Sequence, residues 1–187
     1  MGLLYKLLRV NDPELPLYGR ARVEIKLGKL SRELSKEFLV KGFREYNLDP
    51  DPSLLDYIVE RVDGVIGWLA YIGYKMAAMN RLDKKIVDEV VDEACKLAIS
   101  ELEHFLETRG VARRRYLAIM EAIARLDEPT WSRILGYTTA KIGRIPKNTF
   151  NTMLQNLIDA GFIEKNNSVY KVTDPILEYA LKKYTLS

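Results

Sequence analysis

Residues 154–175 read LQNLIDAGFIEKNNSVYKVTDP, and the fold of the C-terminal part of the chain turns on their register. Leu154, Leu157 and Ile158 recur at helical spacing, and Gly161 supplies the residue that most easily ends a helix in a left-handed conformation. Phe162–Lys165 then reads as a strand, Asn166-Asn167 as a turn pair that tolerates positive φ, and Val169–Val172 as the returning strand. Upstream, Pro146 sits at the first turn of the same helix, KNTFNTMLQNLIDA, where its missing N–H costs nothing; Phe150 and Met153 extend the inward face. Before a glycine-containing turn lies a short helix through Trp131, Ile134 and Leu135, opened by Glu128-Pro129-Thr130 with Thr130 as candidate cap. Before that, residues 112–126 carry the stripe Tyr116, Ile119, Met120 and Ile123. Three helices followed by a hairpin is the order of a winged helix-turn-helix, and helix–Gly–strand–turn–strand is a hard register to obtain by accident.

Seating the third helix on its apolar face turns Lys147, Asn148, Asn151, Thr152 and Gln155 outward. An α-helix fits the major groove of DNA, where amides pair with adenine and lysine pairs with guanine or phosphate. Arg144 and Lys141 in the preceding loop, Arg133, and the run Arg113-Arg114-Arg115 are candidates to hold phosphates. The other reading is a solvated polar face on a winged helix that binds protein or only packs. Little charge on the outward face, and a wing tip with only Lys165 beside it, favour that second reading.

Charge is distributed unevenly. Residues 1–109 hold 17 Lys+Arg against 19 Asp+Glu, a net of −2, whereas residues 110–187 hold 12 against 7, a net of +5. A basic half is a prior for an anionic partner. A chain of 187 residues that is 48% hydrophobic can bury one or two cores without staples. It has no run of eighteen apolar residues to span a membrane. Its one cysteine, Cys95, cannot form an internal disulfide and fits a reducing, cytoplasmic setting. The single histidine, His104, stands among glutamates with no second ligand or nucleophile in sight, so neither a metal site nor a triad is expected.

The N-terminal part is mainly helical. Residues 2–10 read as a short helix, and Val23, Ile25 and Leu27 as one half-buried strand with no sequence neighbour to pair with. Ser31 caps a helix in which Leu34, Phe38 and Leu39 face inward, and Ser53 opens the next, with Leu54, Leu55, Ile58 and Val62 inside. Residues 65–79 are apolar nearly all round, which predicts a central helix. A long helix from Asp83 to about Arg109 points Ile86, Val90, Ala94, Leu97, Leu102 and Phe105 inward, and Gly110 ends it. The expected class is mainly α: a helical lid-like domain with one orphan strand, then a winged helix. The expected division is 1–30, 31–110 and 111–187.

Two N-terminal stretches and one C-terminal stretch carry a family resemblance. Pro16-Leu17-Tyr18-Gly19-Arg20-Ala21 before the strand and Leu30-Ser31 is the first, and Asp63-Gly64-Val65-Ile66-Gly67-Trp68-Leu69 followed by Gly73 is the second. With GFIEKNN…YKVTDPILEYAL they resemble archaeal ATPases of the AAA+/STAND P-loop class, over essentially the whole chain but matching only the family's C-terminal half. The resemblance implies a P-loop domain followed by a helical lid and a winged helix, with ATP and magnesium bound in full-length members. It also implies that Arg20 senses phosphate charge and that Gly64, Gly67 and Trp68 lie in a lid turn near adenine, although Ile66 stands where the family has proline. Trp68 and Tyr71 otherwise read as core aromatics.

No GxxxxGKS/T and no strand ending in paired acidic residues occurs, so ATP turnover and a bound cofactor are not expected of this chain alone. It reads as a truncated, split or excised version whose orphan strand belongs to a sheet found elsewhere. The partners to expect are double-stranded DNA, and either the ATPase half or a second copy covering exposed edges. A stand-alone winged-helix regulator, or an interaction module without DNA, remains the alternative.

Overall fold

The computed structural model describes residues 28–184. The expected helix 2–10, the strand 23–27 and Arg20 lie outside these residues. Among the described residues the chain is mainly helical, with eight α-helices and one two-stranded sheet. Two compact units are present: 28–101 together with Asp174–Ala180, and Leu102–Thr173 together with 181–184.

In the first unit, Ser31 caps α1 (Arg32–Glu45), its Oγ accepting the Leu34 N–H at 3.2 Å. The buried positions are Ser35, Leu39 and Phe43, an i, i+4, i+8 row, so the stripe is rotated from the expected one. Leu34 is 52% exposed and Phe38 only half-buried. The next helix, α2 (Pro52–Val62), starts one residue before Ser53. Asp51 is its cap, taking the Ser53 N–H at 2.8 Å, and Pro52 occupies the first helical position. Leu54, Leu55, Ile58, Val59 and Val62 are all buried.

The turn after α2 uses two left-handed residues, Asp63 (φ 47°) and Gly64 (φ 70°). α3 (Ile66–Met79) packs on α1 and α2 through Leu69, Ile72, Met76 and Ala77. It is less central than its composition predicts, because Ile66, Tyr74 and Met79 are each about half exposed. Asp83 caps α4 (Lys84–Glu107), accepting the Ile86 N–H at 3.0 Å. Its buried row in this unit runs Ile86, Val87, Val90, Val91, Ala94, Cys95 and Ala98. Leu97, expected inward, is 47% exposed because that row passes to one side of it.

α8 (Pro175–Lys183) was not anticipated. Asp174 caps it, its Oδ1 accepting from Ile176 N at 2.8 Å and Leu177 N at 3.3 Å. Ile176, Leu177 and Ala180 are buried and belong to the first unit, although they lie at the far end of the sequence.

The second unit has the expected winged-helix order. Gly110 (φ 46°) opens a 3-10 turn, Gly110–Ala112, three residues beyond the end of α4. Then come α5 (Arg113–Arg125), α6 (Trp131–Ile142), α7 (Lys147–Asp159), β1 (Ile163–Asn166) and β2 (Val169–Val172). α5 packs on α6 and on β2, and eight of its thirteen residues are buried.

After α7 the Gly161 N–H bonds the Ile158 carbonyl and the Phe162 N–H bonds the Leu157 carbonyl, with Gly161 at φ 80°. This Schellman ending aims the chain directly into β1. The antiparallel register pairs Ile163 with Val172 and Asn166 with Val169, so the turn is Asn167-Ser168, one residue later than expected; Asn167 takes the positive φ of 56°. A third short pairing joins Thr130 to Val169, and the Tyr170 N–H donates to the Pro129 carbonyl at 3.0 Å. Thr130 occupies the cap position of α6 without a side-chain capping bond, its backbone being engaged by the wing.

Candidate nucleic-acid interface

The outward face of α7 exists because its inward one is fully used. Phe150, Met153, Leu154 and Leu157 are buried, and Asn156 donates from Nδ2 to the Tyr116 hydroxyl at 2.8 Å. Lys147, Asn148, Asn151, Thr152 and Gln155 are all exposed, as the helical spacing requires. The connection from α6 is four residues long. Gly143 adopts φ 89°, Ile145 is buried, and Arg144 between them is exposed at the turn. Pro146 holds the cap position of α7, and no side chain caps its first turn, which leaves positive dipole character there.

Sequence reasoning places these residues on the surface but misses how many are already engaged. Trp131 packs edge-on against Phe150, ring centroids 5.5 Å apart, and its Nε1 donates to Asn151 Oδ1 at 2.7 Å. The Thr152 hydroxyl donates to the Asn148 carbonyl at 3.0 Å, and Gln155 Nε2 to Asp159 Oδ1 at 2.8 Å. Lys141 is ion-paired with Glu121, and Arg133 lies 3.7 Å from Glu128. Arg113 grips both oxygens of Glu103 at 2.6 and 2.7 Å. Among the described residues, the side chains of Arg144, Lys147, Asn148, Arg114 and Arg115 have no hydrogen-bonding or ionic partner.

Glu121 is the residue that sequence reasoning overlooked. Its side chain is 12% exposed and is surrounded by Lys141, Arg125 (3.3 Å) and the Tyr137 hydroxyl, which donates at 3.0 Å. Burial pushes its carboxyl pKa up, but the hydrogen bonds from Lys141 and Tyr137 and the nearby positive charges more than reverse this, leaving it below the ordinary value. Tyr137 is raised by burial and by its bond to that carboxylate. An acidic residue inside the apolar run YLAIMEAIAR was the available signal.

The wing offers modest charge. Lys165 lies over the Tyr170 ring, 5.4 Å from its centroid, and Lys171 stands opposite Glu164 in the hairpin.

The residues assigned to a lid turn fall together at the α2–α3 junction and the start of α3. The Gly64 carbonyl accepts the Leu30 N–H at 2.9 Å, and a Cβ built on Gly64 would lie 2.1 Å from the Leu30 carbonyl oxygen. Gly67 is exposed in the first turn of α3, with open space around it. Trp68 stacks edge-on with Tyr71 at 5.9 Å and donates its indole N–H to the Asp174 carboxylate, 2.9 and 3.0 Å from its two oxygens. His104 is exposed beside Glu107, and Cys95 is buried with its thiol 3.9 Å from the Ile176 carbonyl. Among the described residues, no three His, Cys, Asp or Glu side chains gather as a metal site. None of the helices there is long and apolar enough to cross a membrane.

Residues 110–173 match the family of MCM protein C-terminal winged helix-turn-helix domains. No curated protein sequence matches the chain. Among solved structures, the Walker-type ATPase of Pyrococcus abyssi is similar, with 33% identity and a TM-score of 0.81 over 97% of this chain and 50% of that one. The chain spans about half the length of that relative. It is therefore similar, along nearly all of its length, to part of an archaeal Walker-type ATPase, and its second compact unit is a winged helix-turn-helix.

Proposed function

We propose that this chain corresponds to the C-terminal, regulatory half of a Walker-type ATPase and that its winged helix contacts double-stranded DNA through the exposed face of α7. The observation carrying the DNA reading is the placement of Arg144 and Lys147, unpartnered among the described residues, on the turn and first residue of the helix that a winged helix presents to a major groove. The likeness to the Pyrococcus abyssi ATPase supports the assignment to an ATPase half. Without a GxxxxGKS/T sequence the chain alone does not turn over ATP, and the α2–α3 junction serves as the lid turn of the assembled enzyme.

Fluorescence anisotropy with a labelled random duplex, titrated at 50 and 200 mM salt, tests the DNA contact. Binding that weakens with salt is expected, and absence of binding at 50 mM rejects it. Calorimetric titration with ATP and magnesium is expected to give no binding heat.

A second reading rests on Leu34, Tyr46, Ile66, Tyr74 and Met79, each about half exposed on α1, α3 or their ends. In it the helical unit is an interaction module that covers this apolar surface with a partner.

A further inference from the structure

We infer that, if the winged helix contacts DNA as proposed, it does so as a sequence-independent backbone clamp through the N-terminal end of α7, and does not read bases along the helix. Lys147, Asn151, Gln155 and Asp159 follow one another at i, i+4 intervals, so the exposed face passes from a cation through two amides to an anion. The helix is thirteen residues, about 20 Å, long. Asp159 at the far end repels phosphates, while Arg144 and Lys147 attract them at the near end, which tilts the helix so that only its first turns approach the duplex.

The residues in the middle are poorly placed to discriminate. The usual amide contact to adenine is bidentate, needing the oxygen and the nitrogen of one side chain together. Asn151 is oriented by Trp131 through its oxygen, and Gln155 by Asp159 through its nitrogen, while the Thr152 hydroxyl is turned back onto the helix. A good bidentate contact discriminates between bases by about five- to 150-fold. Giving up an existing hydrogen bond to make one returns about five-fold of that. Asn148 is the one exposed amide on this face whose side chain has no partner among the described residues, too little for a readable site.

The test compares duplexes made only of A·T pairs and only of G·C pairs, by anisotropy on the full chain. The expected result is a difference in affinity below about three-fold, unchanged by Gln155→Ala or Thr152→Ala. Arg144→Ala with Lys147→Ala is expected to weaken both duplexes equally. Losing two phosphate contacts lowers the salt slope by about 1.8, which is about twelve-fold between 50 and 200 mM. All substituted positions are exposed, and circular dichroism checks that the fold is kept. A preference above ten-fold that Gln155→Ala abolishes overturns the backbone clamp while leaving DNA contact standing. Unchanged affinity in the double variant overturns this docking end, and no binding to either duplex at low salt removes the DNA reading itself.

Discussion

Replacing Glu121 by Gln keeps the shape of the side chain and removes its charge, leaving Lys141 and Arg125 facing a neutral amide. Glu121 is 12% exposed, whereas Lys141 and Arg125 are each about a third exposed, so solvent screens the two cations but shields the carboxylate little. A hydrogen bond to a charged group contributes about 1.5–3 kcal/mol, and glutamine retains one acceptor for Tyr137. The expected loss is therefore about 2 kcal/mol at pH 7.

The folded-state pKa of Glu121 lies below its unfolded value, so the stabilisation is complete above the unfolded pKa of about 4.3. It disappears as pH falls through the folded pKa. Urea unfolding followed by circular dichroism at pH 7, 5, 4 and 3 checks this. The gap between wild type and Glu121→Gln should be full at pH 7, begin to narrow near pH 4 and shrink further at pH 3. A gap below about 0.5 kcal/mol at pH 7, or one that keeps its size down to pH 3, refutes the assignment of Glu121 as the charged centre of the winged-helix polar cluster.

Two further predictions concern the helical unit. Gly64→Ala combines a left-handed φ of 70° with a Cβ 2.1 Å from the Leu30 carbonyl oxygen, so a loss of about 3 kcal/mol or more is expected in urea unfolding; a loss under 1 kcal/mol means the turn relaxes freely. Trp68→Phe removes the indole N–H from the Asp174 carboxylate while keeping an aromatic ring. Amide exchange over residues 174–180 should speed up by about ten-fold, matching about 1.4 kcal/mol, and unchanged protection there would show that apolar packing alone holds α8.

The winged helix was readable because its punctuation is local. Gly161 ends α7, Pro146 begins it, and the hairpin follows within two residues, so each boundary is decided by the residues at that boundary. Rotations about a helix axis are less well constrained: a shift of one residue turns a stripe by about 100°, and Leu34 and Leu97, apolar at near-stripe positions, stay about half exposed. The hairpin turn moved by one residue for a similar reason, since Asn166 and Asn167 are chemically alike and only the pairing of Ile163 with Val172 decides between them.

The outward residues of α7 follow from periodicity, but their engagement does not. Trp131 lies twenty residues from Asn151, and Lys141 twenty from Glu121; such pairs arise from how α5, α6 and α7 pack, which no local pattern encodes. The helix α8 did carry a local signal. Asp174-Pro175 is a cap followed by a proline at the first helical position, and Ile176, Leu177, Ala180 and Leu181 are spaced as a helical stripe.

The return of Asp174–Ala180 to the first unit fixes an order of events during synthesis. A ribosome releases residues 28–101 before 102–173, yet the core of that unit lacks Ile176, Leu177 and Ala180 until residues 174–180 have followed. The winged helix, contained in Leu102–Thr173 and 181–184, has nearly all of its residues available earlier. Of the two units, the one whose larger segment is made earlier is thus completed later, held meanwhile with apolar positions unfilled, and closing it involves a contact more than one hundred residues long between Trp68 and Asp174.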